Sequence, residues 1–171
     1  MKIVCVSGGT YKSFYLNYCI KLRQCDLLLF NFGIIYDYVV SEELLKNAIV
    51  TKELMFLSKK LNATVVAGVF VNSSNERIKS VIVCDGDKIY LNNIKKGAKI
   101  SLKNTTFIVG DENTNYLHYN KIIFSKNRII PNLSNCSKNK TYLFCDDYGV
   151  SLVQKGEFER KFNKYSKFIL K

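Results

Sequence analysis

Four consecutive apolar residues, Leu27, Leu28, Leu29 and Phe30, follow Asp26 and stop at Asn31-Phe32-Gly33. A strand with one wet face alternates apolar and polar residues. An unbroken run has no polar face to give to water, so it belongs inside a sheet covered on both sides. The chain must turn at Gly33, and in sheets covered by helices ligands gather past the carboxyl ends of the strands. The segment from Asn31 to Tyr38 is therefore expected to border any working site, and Asp37 is its only carboxylate.

The neighbours of this run fit a strand–helix–strand order. Lys2 to Val6 reads as a short buried strand and Ser7-Gly8-Gly9-Thr10 as a turn. Phe14 to Gln24 carries Phe14, Tyr15, Tyr18, Cys19 and Leu22 at helical spacing. Such a succession is a right-handed crossover between parallel strands. Ser41 can cap a second, long helix with Glu42 and Glu43 in its first turn. Its buried stripe is Leu44, Leu45, Ala48, Ile49, Leu54, Leu57 and Leu61, with Lys59 and Lys60 in the last turn. Thr64 to Val71 is a third buried strand.

Beyond Asn75 the rhythm changes to hairpins. Lys79–Asp85 and Lys88–Leu91 flank Asp85-Gly86-Asp87, Ile100–Leu102 and Thr105–Val109 flank Lys103-Asn104, and Thr141–Cys145 and Val150–Val153 flank Asp146-Asp147-Tyr148-Gly149. Asn113 to Tyr119 reads as a short helix or loop, Lys121 to Ser125 as a strand and Pro131 to Lys140 as a polar loop. Phe158 to Lys171 is a basic closing segment, strand or helix. Two crossover units followed by hairpins predict a mixed sheet or two stacked sheets with helices outside, of the α/β or α+β class. The 171 residues suit a single domain.

A hydrophobic content of 47% with one proline excludes a disordered chain. No apolar run approaches the roughly 20 residues of a membrane helix. The opening MKIVCVSGG has too short an apolar core for a signal peptide, so a cytoplasmic location is expected. The net charge of +12 would suit nucleic acid or an anionic membrane. Only four of the 26 basic residues are arginine, however (Arg23, Arg77, Arg128 and Arg160), and arginine is what bidentate base and phosphate recognition favours. Solvated lysines explain the excess, and nucleic acid and membrane are not expected partners.

The six cysteines, Cys5, Cys19, Cys25, Cys84, Cys136 and Cys145, show no Cys-x-x-Cys spacing. The single histidine, His118, cannot complete a Cys/His zinc cluster. No metal or cofactor is expected. Ser7-Gly8-Gly9-Thr10 lies where backbone amides can cradle phosphate and partly resembles the SGGxDS loop of PP-loop ATP pyrophosphatases. Tyr11-Lys12-Ser13 stands where that motif has Asp-Ser, and a tight turn is the simpler reading. Asp111 with Glu112 could work as an acid/base pair, but adjacent strand residues face opposite ways, so solvated turn carboxylates are expected. Asp146 and Asp147 are read likewise as hairpin-turn residues. His118 lies in the aromatic patch Tyr116 to Tyr119 and reads as a packing or surface residue. The tail interleaves Lys155, Arg160, Lys161, Lys164, Lys167 and Lys171 with Phe158, Phe162, Tyr165 and Phe168; it reads as a closing segment whose aromatics pack inward rather than a nucleic-acid platform.

The order of elements resembles the carbon-nitrogen hydrolase (nitrilase-like) superfamily. That family opens with a strand like MKIVCV, then a helix, then a strand ending in Pro-Glu with Gly-Tyr five and six residues after the Glu. Asn31-Phe32 and Asp37-Tyr38 stand at that offset. A strand ending Ala-Gly is matched by Val66-Ala67-Gly68, a strand and Gly turn by Val83-Cys84-Asp85-Gly86, and a late strand pair by Phe144 to Val150. The resemblance covers nearly the whole chain and implies an α/β (α+β) fold, a nitrilase-like α-β-β-α sandwich, truncated, since members usually run considerably longer. The missing length is expected after Gly110, where a helix would wall the site.

The family's chemistry uses a Glu base, a Lys that supports the oxyanion and a Cys nucleophile. Carried over, the Glu position falls on Phe32 and the Cys position near Gly110, leaving only the Lys, as Lys95 or Lys96. Phenylalanine cannot accept a proton and glycine has no side chain to attack with. The expectation is a degenerate, non-catalytic domain that binds a small amide-like or anionic ligand, or a protein partner such as a second copy. Lys95, Lys96, Phe32, Tyr38, Asp111 and Glu112 are the candidate ligand-binding residues. The alternatives are an active carbon-nitrogen hydrolase with a relocated nucleophile and a basic nucleic-acid-binding protein.

Overall fold

The computed structural model describes residues 1–35, 49–73, 76–113 and 118–170. Two six-stranded sheets stack face to face. The first has the order β12-β1-β2-β3-β4-β5 and the second β11-β10-β9-β8-β7-β6. The strands are β1 Lys2–Val6, β2 Leu27–Phe30, β3 Thr64–Ser73, β4 Glu76–Asp85, β5 Lys88–Asn93, β6 Ala98–Leu102, β7 Thr105–Asp111, β8 Asn120–Phe124, β9 Thr141–Asp146, β10 Gly149–Gln154, β11 Glu157–Lys161 and β12 Tyr165–Ile169.

The apolar run is β2, fully buried and parallel to both β1 and β3. Leu27 and Leu29 face the second sheet, among Ile3, Val66, Phe107, Val109, Ile122 and Leu143. Leu28 and Phe30 face the helices, among Phe14, Leu54, Leu57 and Leu61. A polar residue at any of the four positions would lose its water on one side or the other, which is why the run is unbroken.

The first helix is shorter than its apolar spacing predicts. α1 spans Tyr11–Phe14, with Thr10 Oγ1 accepting from the Ser13 N–H, and continues as a π-helical turn over Tyr15–Cys19. Leu22 to Gln24 lie beyond it. α2, Ile49–Leu61, buries Leu54, Leu57 and Leu61 as predicted, but Ile49 is 70% exposed and does not belong to the stripe. The predicted cap Ser41, with Glu42, Glu43, Leu44, Leu45 and Ala48, lies outside the described residues.

The predicted hairpins are present, with β3 and β4 forming one more. The closing segment is two strands: β11 joins the second sheet beside β10, and β12 joins the first beside β1. Phe168 and Tyr165 pack inward as expected, whereas Phe158 and Phe162 stay largely exposed.

The parallel connections of the second sheet are short. β7 and β8 are parallel, yet only residues 112–119 join them. A parallel crossover ordinarily needs a dozen or more residues and a helix. β8 and β9 are also parallel, and residues 125–140 between them hold only the 3-10 turn Leu133–Asn135. Ile129 and Cys136 from that stretch pack on Ile123, Tyr142, Phe144 and Val153, taking the place of a helical layer on the outer face. Among the described residues, the α-helices lie on the first sheet alone. No helix of the described residues is long and apolar enough to cross a membrane.

Candidate functional site

The carboxyl end of β2 leads into Asn31, which is fully buried. Its Nδ2 donates to the Ser125 carbonyl at 2.9 Å and to Asp147 Oδ1 at 2.8 Å, tying the first sheet to two loops of the second. Burial pushes the Asp147 carboxyl up, opposed by Lys126 and by this hydrogen bond. Phe32 then turns into the layer between the sheets. It is 1% exposed and packs against Phe70, ring centroids 5.0 Å apart, and edge-on to Phe124 at 6.0 Å. Gly68 makes room for it: a Cβ there would lie 3.0 Å from the Phe32 ring.

Beside this aromatic cluster stands a charged one. Lys79, opposite Phe70 across the β3–β4 pair, has its Nζ 5.8 Å from the centre of the Phe32 ring. The same Nζ lies 3.2 Å from Glu112 Oε1 and 3.9 Å from Asp111 Oδ2. Arg77 lies over Phe70, its guanidinium carbon 4.4 Å from the ring centre. Asp111 is 4% exposed, on the same face of β7 as Phe107 and Val109. The expectation of solvated turn carboxylates is therefore corrected for Asp111 and holds for Glu112, which is exposed in the turn. Asp111 and Glu112 both reach one cation, Asp111 from the strand and Glu112 from the turn that follows it.

Of the other candidates, Gly110 is a buried residue of β7 next to Asp111. Lys95 and Lys96 sit exposed on the 3-10 turn Ile94–Lys96, where the Lys95 N–H is capped by Asn93 Oδ1. The cation of the cluster is Lys79, which sequence reasoning did not select. Its signal lay in the pairing of β4 with β3, which puts it across from an aromatic. Asp37 and Tyr38 lie outside the described residues. His118 is exposed. The Ser7-Gly8-Gly9-Thr10 turn is spent on the chain itself: the Ser7 N–H donates to the Lys164 carbonyl and Thr10 caps α1.

Asp146 also departs from expectation. It is 0% exposed, and both its oxygens accept from Arg160 Nη2, at 3.0 and 2.9 Å. They accept as well from the backbone N–H groups of Ile129 and Tyr148. Arg160 also donates through Nη1 to Ser151 Oγ and the Ile129 carbonyl, while its buried Nε has no partner. A residue of the basic tail is thus a structural partner, not a surface charge.

The cysteines are free. Burial pushes Cys25 up to about 11 and Cys84 up to about 12, and raises Cys19 and Cys136 as well. Cys5 and Cys145 meet between the sheets, where burial and then the neighbouring thiol raise Cys5. Cys145 shares a sheet row with Asp111 but is two strands away, with Phe124 between. That separation is about 10 Å, too far for direct proton transfer. Among the described residues, no group of three metal-ligating side chains is close enough to hold an ion.

Two stacked mixed sheets with helices on the first define a nitrilase-like fold. The chain superposes on Saccharomyces cerevisiae Nit3, a member of branch 10 of the nitrilase superfamily, with a TM-score of 0.68 at 12% identity over 98% of this chain and 89% of that one. It matches XC1258 from Xanthomonas campestris, a CN-hydrolase superfamily protein, at 0.66 and 9% identity, again over 98% and 89%. A glutamine-dependent NAD(+) synthetase from Cytophaga hutchinsonii matches at 0.65 and 9% identity, over 98% of this chain but 42% of that larger protein. No protein-family model and no curated protein matches the sequence.

Proposed function

We propose that this chain is a non-catalytic derivative of the carbon-nitrogen hydrolase scaffold, binding a small amide-like molecule at the cluster of Phe32, Phe70, Lys79, Asp111 and Glu112. The observation that carries this reading is Phe32. A buried ring packed between Phe70 and Phe124 stands where the resemblance puts the general base, and it can neither take a proton nor make way for a group that could. The ion-paired cluster retains a cation for a carbonyl oxygen and carboxylates for an amide N–H, on facing surfaces of the two sheets.

The active-hydrolase alternative needs an activated thiol, and the shifts resolved for the cysteines run upward. The test is hydrolysis of a panel of primary amides and nitriles, followed by ammonia release. The expected result is none above the uncatalysed rate. Ammonia release abolished by one Cys→Ala substitution overturns the proposal.

A further inference from the structure

A second concavity lies on the other side of the first sheet, past the carboxyl ends of β1 and β2. It is a cleft of about 730 Å³. Residues after β1 (Thr10, Tyr11, Lys12, Tyr15) and after β2 (Gly33, Ile34, Ile35) form one wall, and Glu53 and Phe56 of α2 form the other. This is where helix-covered parallel strands place ligands, and the volume is that of a nucleotide-sized site. It belongs to the helix-side core, whereas Phe32 and Phe124 belong to the inter-sheet layer.

Two features distinguish it from a packing defect. Its walls carry three aromatic rings, with Tyr15 6.2 Å from Tyr11 and 6.4 Å from Phe56. Glu53 brings a carboxyl among them whose Oε2 is buried and accepts no hydrogen bond. An unpaired buried carboxylate oxygen is costly to fold around unless something completes it. The carboxyl torsion of glutamate is broad, so a small rotation turns that oxygen toward the cleft. Among the described residues, the charges nearby are Glu53 itself, Lys12 in the lining and Lys60, whose Nζ sits 5.0 Å over Tyr15 and 5.9 Å over Phe56. These two cations suit an anionic substituent.

We infer that this cleft binds a planar heteroaromatic ligand whose ring N–H donates to Glu53, whose face lies against Tyr15 or Phe56, and whose anionic group reaches Lys12, as a purine nucleotide would. The probe is GMP in isothermal titration calorimetry, with guanosine and tyramine as comparisons and Glu53→Leu and Phe56→Ala as variants. GMP is expected to bind the wild type, guanosine at least tenfold more weakly, and each variant to lose tenfold or more. Glu53→Leu should at the same time melt at a higher temperature, because its unpaired oxygen is gone; a carboxyl with a structural role would lower the melting temperature instead. Phe56 is half exposed, so its variant keeps the fold. No GMP binding at millimolar concentration, binding unchanged in both variants, or binding of tyramine alone overturns the inference. The amide assay reads cysteine-dependent hydrolysis and the titration reads binding in this cleft, so the two readings fail separately.

Discussion

Removing the guanidinium of Arg160 would strand Asp146, whose oxygens have no access to water. A buried carboxylate left with only two backbone donors costs about 3–5 kcal/mol. Arg160→Met is therefore expected to lower the unfolding free energy by that amount in urea titration, while Phe162, stacked on the same guanidinium, adds little because it is largely exposed. Asp26 behaves differently. Its hydrogen bonds from Lys103 and from the Lys2 N–H hold its carboxyl below the usual range. A lowered folded pKa gives stability that is present above the unfolded value, about 3.9, and lost as pH falls through the folded one. Asp26→Asn should thus be less stable than the wild type at neutral pH, and the gap between their urea midpoints should close on acidification. Neither partnership could be read in the sequence. Asp146 and Arg160 lie 14 positions apart and meet only through the register of β9, β10 and β11. A carboxylate in a Gly-containing turn looks solvated until the loop 125–140 covers it.

At the scale of elements, β3 and the turn after β2 are fitted to each other at Gly68 and Phe32. A methyl group on Gly68 meets both the ring and the backbone nitrogen of Phe32, at 3.0 and 3.2 Å. Gly68→Ala should cost about 1–3 kcal/mol. Combined with Phe32→Leu, the double variant should be more stable than the sum of the two singles predicts, a coupling that denaturation of the four proteins measures. Strands were legible because alternation and turn glycines are local signals. β1 and β2 fall where the apolar runs put them, and Gly86 takes the positive φ its hairpin needs. The helix after β1 was not. Its aromatics have α-helical spacing, but the backbone widens to a π turn, with the Ile20 N–H reaching back to the Tyr15 carbonyl. Nothing in the spacing of Tyr15, Tyr18 and Cys19 separates the two periods over so few residues.

For the whole molecule, the sandwich is covered unequally. One sheet has helices on its outer face; the other has the stretch 125–140 and short connections. Backbone amides under such a cover open at lower free energy than those under packed helices. Native-state hydrogen exchange should accordingly be faster for β8 and β9 than for β1, β2 and β3. The layer arrangement was legible from two crossovers followed by hairpins. The candidate site was only partly so: Phe32, Asp111 and Glu112 were singled out by position along the chain, while Lys79 required knowing which strand lies beside which.

β12 pairs with β1, and every other strand of the described residues lies between them in the chain. On the ribosome, β1 is made early and can gain β2 as a neighbour at once. Its other edge must wait, open, until translation has delivered β12. During that interval a buried apolar strand offers unpaired amides to any passing chain. Docking of β12 is therefore the step that closes this edge, and until it happens the strand stays open to wrong partners.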